Sequence, residues 1–589
     1  MIKIDLTRDK LFDDYALPIL RERYLLPEEN SPQEALVRAA KAYCAGDEAL
    51  AQRIYDYASK HWFMFATPVL SNASSSRGLP ISCFLNYVGD SRAEICEHWT
   101  ENTWLASMGG GIGGYWGHIR SDGVATSNGS VSTGSIPFMH VVDSQMLAVS
   151  QGKTRRGSYA VWTDISHPEV EEVLIMRKPG GGDINRKNLN LHHGINISDA
   201  FMWAVEANED WELIDPKSKK VTKWVNARDL WKKILQMRYE TGEPYIHFID
   251  TTNRLQPECH KALGLKVHSS NLCSEIVLPI NEERTAVCCL SSLNLEYYDE
   301  WRNTSIVEDL VTFLDNVLQN FIDTAPDTMS KAKFSAMRER SIGIGTMGFH
   351  AYLQKREVPF ESDRALAITE EIFSHIRFKA ERQTWLLGKT RGNAPDYDEA
   401  GGPEFRRNVH LIAIAPNAST SIICGNTSPS IEPFSANVYI QKTLNGSNTY
   451  RNRFLNELLK KKLKCEQSES FDLHELWRDI AAHQGSVQHL DILSDAEKEI
   501  YKTAGELDQS WVIEHASIRQ KYIDQSQSVN LFFPPKVKMK YLHDVHFSAW
   551  KKGLKTLYYC RTTAAHRVEN LYKKVERKNN NIECIGCEG

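Results

Sequence analysis

The chain has 589 residues, 42% hydrophobic and 25% charged, with a net charge of −5. That balance fits a soluble globular protein, large enough for several domains or one big barrel. It has no long basic run to attract nucleic acid or a membrane surface, no apolar stretch of about eighteen residues to span a bilayer, and no secretory h-region in its charged start, MIKIDLTRDKLFDDY.

A cytoplasmic location is therefore expected, where thiols stay reduced. Most of the 12 cysteines then read first as small buried apolar residues. Cys44, Cys96, Cys259, Cys424, Cys465 and Cys560 receive that reading. Residues 1–66 read as a helical region: Ser31-Pro32-Gln33-Glu34 supplies an N-cap, a proline at the first helical position and a capping-box glutamate. Ala35, Leu36, Ala39, Ala40 and Tyr43 follow at helical spacing. Beyond residue 66, short apolar runs alternate with longer amphipathic stretches. GGGIGG at 109–114 spells a dinucleotide fingerprint, but CEHWTENTWLASM before it reads as a helix where that fold needs a strand. The glycines imply instead a turn at which backbone closely approaches a substrate.

Further along, 308–323 and 363–387 are predicted helices. LIAIAP (411–416), SVNLFF (528–533) and LKTLYY (554–559) are predicted short, buried strands. The alternation argues for parallel strands covered by helices. Residues 450–525 are richer in charge and read as a helical insertion, with a capping box from Ser494 to Glu497. Residues 566–589 are polar, lack core material, and are expected to form a mobile tail.

SSNLCSEIVLP (269–279) sets a cysteine between an amide and a carboxylate. If extended, it points Asn271, Cys273 and Glu275 one way, at the edge of the apolar run Ile276, Val277 and Leu278. Cys83 in GLPISCFLNYVGDS and Cys288 in AVCCLSSLNL lie in strand-like sequence, and each alone reads as structural. Cys289 should face away from Cys288. APNASTS (415–421) offers hydroxyls and backbone N–H groups that suit an anion, though alone it reads as an ordinary helix start. Tyr558 and Tyr559 alone read as strand packing. Cys584 and Cys587 form a C-x-x-C with no second pair for zinc, so a redox pair on an arm is the better reading.

NLCSEIVLP, AVCCLSSLNL, APNASTS and LKTLYYCRT, in this order, with FATPVLSNASSSRGLPISC upstream and the terminal C-x-x-C, resemble the large, catalytic subunit of class I ribonucleotide reductase. The likeness runs from about residue 67 to the C-terminus. It implies an α/β barrel of ten strands over 67–565, made of two antiparallel halves of five parallel strands, with the helical region before it and the flexible tail after it. It also implies reduction of ribonucleoside diphosphates. By matching position, Cys273 carries a thiyl radical, Glu275 is the base on the 3′-hydroxyl, and Asn271 orients the substrate. Cys83 and Cys288 supply electrons and end as a disulfide, which Cys584 and Cys587 reduce before passing oxidation to thioredoxin or glutaredoxin.

Thr67, Ser82, Gly110 and Gly111 match residues facing the substrate, and Asn417, Ala418, Ser419 and Thr420 match a phosphate cradle. Asp90 and Arg120 match the site for dNTP or ATP effectors. The segment 178–194 sits where the family has its specificity loop, with unusual glycine-rich wording. Tyr558 and Tyr559 match stacked tyrosines relaying a radical from a metal-containing small subunit, so no cofactor or metal is expected in this chain. A homodimer is implied, and no ATP cone is expected. The alternatives are an adenosylcobalamin-dependent reductase and, in another class, a non-catalytic redox or zinc-binding module.

Overall fold

The N-terminal helices form as their caps dictate. Ser31 and Glu34 make the reciprocal capping box that opens helix α2 (Pro32–Ala42), which follows α1 (Ala16–Arg23) and precedes α3 (Glu48–Ser59). The structure is a computed structural model describing residues 2–14, 16–151, 155–443, 446–465 and 472–562. Cys584, Cys587 and the rest of the expected tail lie outside the described residues.

In chain order the elements that build the barrel are β1 (Phe63–Phe65), α4 (Thr67–Asn72), β2 (Cys83–Tyr87), α5 (Arg92–Ser107), β3 (Gly111–Tyr115) and α6 (Ile136–Ala148). Next come β4 (Ser158–Asp164), β5 (His192–Ile197), β6 (Tyr245–Phe248), α7 (Glu258–Ala262) and β7 (Ala286–Asn294). Then follow α8 (Ile306–Thr324), α9 (Ser330–Glu339), β8 (Ile342–Met347), α10 (Asp363–Arg391) and α11 (Ala418–Ile423). The last are α12 (Arg453–Cys465), α13 (Leu473–Ala482), α14 (Asp495–Ile500), α15 (Gln509–Gln520), β9 (Leu531–Phe533), β10 (Thr556–Leu557) and β11 (Cys560–Thr562).

Strands β2 to β6 run parallel to their neighbours and form one half. The other half is β7 and β8, parallel, continued by single bridges from Ile344 to Ile412 and from Ile414 to Gln527. Its last members, β9 and β11, are again parallel. The halves meet antiparallel at two seams, β7 on β2 and β10 on β6. The expected two-halved α/β barrel is thus present. The stretch 411–416 joins its neighbours through single bridges at Ile412 and Ile414, and of 528–533 only Leu531–Phe533 forms a ladder.

Helix α8 shows why helices cover the sheet. Leu310, Phe313, Leu314, Val317 and Phe321 recur at three- and four-residue intervals and are all buried. Each such burial stabilises by about 1.5–3 kcal/mol. The charged region around 450–525 carries α12 to α15, and Ser494 and Glu497 form the expected box on α14. Leu455, Leu459, Trp477 and Ile480 there pack into a small core of their own. Of the cysteines read as core, Cys44, Cys259, Cys424 and Cys560 are buried, and Cys465 has no described side-chain environment. Cys96 corrects that reading: it is exposed, because α5 turns Ile95, His98, Asn102 and Leu105 inward and leaves Cys96 outside.

Candidate active site

Cys83 opens β2 and Cys288 lies early in β7, and the antiparallel register sets the two directly opposite each other. Facing residues in such a ladder have Cα atoms about 4.5–5.5 Å apart, within disulfide reach. Alternation turns Cys289 outward, where its Sγ lies 3.3 Å from the Leu314 carbonyl on α8. Burial pushes the Cys288 thiol well above its ordinary pKa, so it is held as S–H.

Asn271, Cys273 and Glu275 are gathered by a turn, which differs from the extended alternation expected. Ser274 adopts a left-handed φ of 68°, and the Asn271 N–H donates to the Ile276 carbonyl at 3.3 Å. The apolar Ile276, Val277 and Leu278 are buried, which anchors this loop inside the barrel. Asn271 Oδ1 accepts from the Ile276 N–H at 3.1 Å, while its Nδ2 makes no hydrogen bond of good geometry. Glu275 Oε1 lies 3.9 Å from Cys83 Sγ, and the Ser82 hydroxyl lies 3.6 Å from the same sulfur. Burial raises the Glu275 pKa to about 7, against the nearby amide of Asn271, the Ser528 hydroxyl and the Cys83 thiol, which favour its charged form. A carboxyl so placed can take up or release a proton near neutrality.

GGGIGG explains how the loop fits. A Cβ on Gly113 would sit 2.0 Å from the Ser270 carbonyl oxygen and 2.7 Å from Asn271 Cα. Only glycine lets β3 lie against the cysteine loop. Gly110 is similarly close to the Phe84 ring, at 2.6 Å, and the Gly111 N–H donates to the Ser82 carbonyl at 2.7 Å. We expect Gly113→Ala to destabilise the fold by at least ~3 kcal/mol, since backbone must move to admit the methyl. Chemical unfolding against wild type checks this, and a loss under about 0.5 kcal/mol would show that the loop yields.

Sequence reasoning missed the wall behind the loop, Gln525 to Ser528. All four of its residues are fully buried. Gln525 Nε2 lies 3.3 Å from Cys288 Sγ, and the Ser526 N–H donates to the Glu275 carbonyl at 2.9 Å. Ser528 Oγ donates to the Cys273 carbonyl at 2.5 Å and lies 3.3 Å from Glu275 Oε2. One short segment therefore touches the cysteine loop and the paired cysteine. Its signal was the run QSQS just before an apolar strand, polar residues where a barrel interior is expected.

Thr556 Oγ1 donates to the Ser274 carbonyl at 2.7 Å, which ties the tyrosine segment to the same loop. The rings of Tyr558 and Tyr559 lie 4.3 Å apart but are tilted by 54°, not stacked as expected, and the neighbouring Tyr245 ring packs against both, at 4.7 and 5.1 Å. Tyr559 Oη lies 3.3 Å from His192 Nδ1, and the Arg561 guanidinium covers its ring.

Asn417, left-handed at φ 55°, starts α11 and binds Ser292 of β7 and the Thr346 carbonyl of β8. Ser292 shares the strand face of Cys288, so Asn417 anchors the start of the segment holding Ala418, Ser419 and Thr420 on that face of β7. Thr67, which starts α4, touches the Tyr24 hydroxyl at 3.1 Å. Asp90 and Arg120 are brought together as a multiply hydrogen-bonded ion pair at 2.8 Å, with Asp90 just past the far end of the strand that Cys83 opens. A cleft of about 580 Å³ opens near Tyr115, Asp164, Asn196 and His268; none of the three site cysteines lines it. No described helix is long and apolar enough to cross a membrane.

Comparison with known proteins bears on this arrangement directly. Residues 10–78 match the all-alpha domain of ribonucleotide reductase, and 81–402 and 406–560 match its barrel domain. A putative ribonucleoside-diphosphate reductase large subunit of Frog virus 3 is 47% identical over 553 residues, covering 93% of this chain and 94% of the relative. A ribonucleoside-diphosphate reductase large subunit of Invertebrate iridescent virus 3 is 43% identical and covers both chains fully. Among solved structures, the class Id ribonucleotide reductase alpha subunit of Actinobacillus ureae aligns with a TM-score of 0.82 at 34% identity, over 96% of this chain and 99% of that one. With paired cysteines, a buried carboxylate and adjacent tyrosines inside such a barrel, the chain belongs to the ribonucleotide reductase large-subunit family.

Proposed function

We propose that the chain is the catalytic subunit of a class I ribonucleoside-diphosphate reductase, converting ribonucleotides to deoxyribonucleotides by thiyl-radical chemistry. The observation that carries this reading is the Cys83–Cys288 register with the Glu275 carboxylate beside it. The Cys273 thiyl takes the 3′-hydrogen atom, forming S–H, while Glu275 accepts the 3′-hydroxyl proton and Asn271 orients the ribose. The 2′-hydroxyl leaves as water. Cys83 and Cys288 give up two hydrogens, one to that water and one to C2′, and become a disulfide. Glu275 returns its proton to the 3′-oxygen, and Cys273 returns its hydrogen to C3′ and is a thiyl again.

The 3′-proton transfer sets a pH dependence. Glu275 accepts a proton only when ionised, and with its pKa raised to about 7 its ionised fraction falls as pH drops through neutrality. Activity of the wild type is expected to decline on that acid side, and Glu275→Gln should lose about 10²–10⁴-fold and flatten the limb. A Glu275→Gln variant that keeps both rate and limb removes the base role.

Radical delivery runs through Tyr559 and Tyr558 from a metal-containing small subunit, whose oxidant supplies the hole. Hydroxyls and N–H groups at Asn417, Ala418, Ser419 and Thr420, with Thr67, Ser82, Gly110 and Gly111, bind the substrate diphosphate and ribose. Asp90 and Arg120 exchange their mutual contact for a dNTP or ATP effector. Trp104, Val141 and Leu147 leave apolar surface at 40, 38 and 59% exposure on the packed pair α5 and α6, which supports a homodimer through that face. Cys584 and Cys587 reduce the internal disulfide and pass oxidation to thioredoxin or glutaredoxin. The deciding assay is deoxynucleotide formation with dithiothreitol, with and without a candidate small subunit. Turnover only with that subunit is expected, and turnover by the chain alone with adenosylcobalamin would overturn the class.

A further inference from the structure

At the start of β8, whose Ile342 pairs with Cys289 and accepts from Gln525, three groups far apart in sequence meet in the interior. His260 belongs to α7, Glu339 ends α9, and His410 precedes the 411–414 strand segment. All three are buried, at 0, 0 and 1% exposure. One ring nitrogen of each histidine and one Glu339 oxygen lie within 4.8 Å of one another. The geometry points to a buried divalent transition-metal site, His260–Glu339–His410, of the kind zinc occupies.

Three observations carry this. Both ring nitrogens of His260 lack any hydrogen bond, although the side chain is wholly enclosed. A buried imidazole without a partner costs about 1–3 kcal/mol, and its native state needs an explanation. The Asp396 carboxylate 3.7 Å away does not provide one, because it is engaged by Arg284 at 2.7 Å and by Arg338 at 2.7 Å.

Glu339 is the second observation. Its carboxylate is held at 2.9 and 2.8 Å by the neutral hydroxyls of Ser335 and Ser341, with His410 Nδ1 at 3.9 Å and the Arg284 guanidinium acting on it only from beyond ion-pair contact. Neither lysine nor arginine pairs with it among the described residues. A buried carboxylate calls for a cation, and a metal supplies one.

The third is ring placement. Zinc bonds imidazole nitrogen at about 2.0–2.1 Å, so two tetrahedral histidine ligands have ring centres about 5 Å apart. The His260 and His410 rings are 5.3 Å apart. Ser341 Oγ also touches both Glu339 Oε2 at 2.8 Å and His410 Nδ1 at 2.9 Å, which orients two of the three donors as outer hydroxyls do in metal sites. The three ligands are separated by 79 and 71 residues, which is why no spacing motif announced them and none was expected from sequence.

Such a metal fastens α7, the end of α9 and the 410 segment together, so it is structural and enters as the chain folds. The test uses full-length chain carrying Cys584→Ser and Cys587→Ser, which removes the C-x-x-C as a competing zinc ligand. After growth in zinc-supplemented medium and gel filtration, elemental analysis should find about one zinc per chain, and cobalt substitution should give the visible bands of a tetrahedral site. His260→Ala should drop zinc below about 0.2 per chain while circular dichroism stays native, because that ring makes no hydrogen bond to lose. If that variant does not fold, Glu339→Gln, which can keep both serine contacts, is the second arm, with the same loss of zinc expected. Zinc below about 0.2 per chain in the parent, both as purified and after refolding with zinc, overturns the site, as does full zinc retained in the folded variant.

Discussion

Cys273→Ser is expected to abolish deoxynucleotide formation, by at least ~10⁴-fold, a barrier increase of roughly 5.5 kcal/mol. Serine nearly matches cysteine in size at a site only 3% exposed, so the fold should survive, with the Ser528 contact to the residue's carbonyl intact. What changes is the bond. An O–H is stronger than an S–H, so a tyrosyl radical that can draw hydrogen from a thiol cannot draw it from an alcohol. No radical then reaches the ribose. The measurement is single-turnover product with small subunit present, alongside thermal unfolding and substrate binding. Persistence of more than a hundredth of wild-type product in a natively folded variant would sink the hydrogen-abstraction role of Cys273.

Tyr559→Phe tests delivery instead of chemistry. The phenyl ring keeps its packing against Tyr245 and Tyr558 and forfeits only the hydroxyl facing His192 Nδ1. Phenylalanine has no phenolic proton to release and is far harder to oxidise, so the relay is broken at that step. Turnover is expected to fall at least ~10³-fold, with substrate and effector affinity unchanged, the signature of a lost transition-state contribution and not of lost binding. The variant also separates the reductase classes: near-normal turnover in Tyr559→Phe would mean the radical arises without passing this residue.

Much of the architecture was readable from patterning. Helix α8 announced itself through its apolar spacing, and the boxes at Ser31 and Ser494 through their glutamates. The 411–416 and 528–533 segments were harder. The first joins the ring through isolated bridges at Ile412 and Ile414, and in the second only Leu531–Phe533 makes a ladder, while Ser528 is buried against the cysteine loop. For the site, the NLCSE trio could be found, but its shape could not. A left-handed serine is not signalled by composition, so Ser274 turned an expected strand into a turn. The opposition of Cys83 and Cys288 is a long-range pairing, invisible to local periodicity and suggested only by resemblance. Gln525 went unnoticed because a polar run before a strand resembles a loop until its burial is known, and Ser528 was read only as the first residue of a strand.

The β2–β7 seam has one more implication. Because Cys83 belongs to one half of the barrel and Cys288 to the other, oxidising the pair staples the two halves covalently across a loop of about two hundred residues. Each catalytic cycle would then leave the molecule briefly cross-linked, and spent chains awaiting reductant should resist denaturant longer than freshly reduced ones. Redox state and mechanical toughness become one readable property of the same joint.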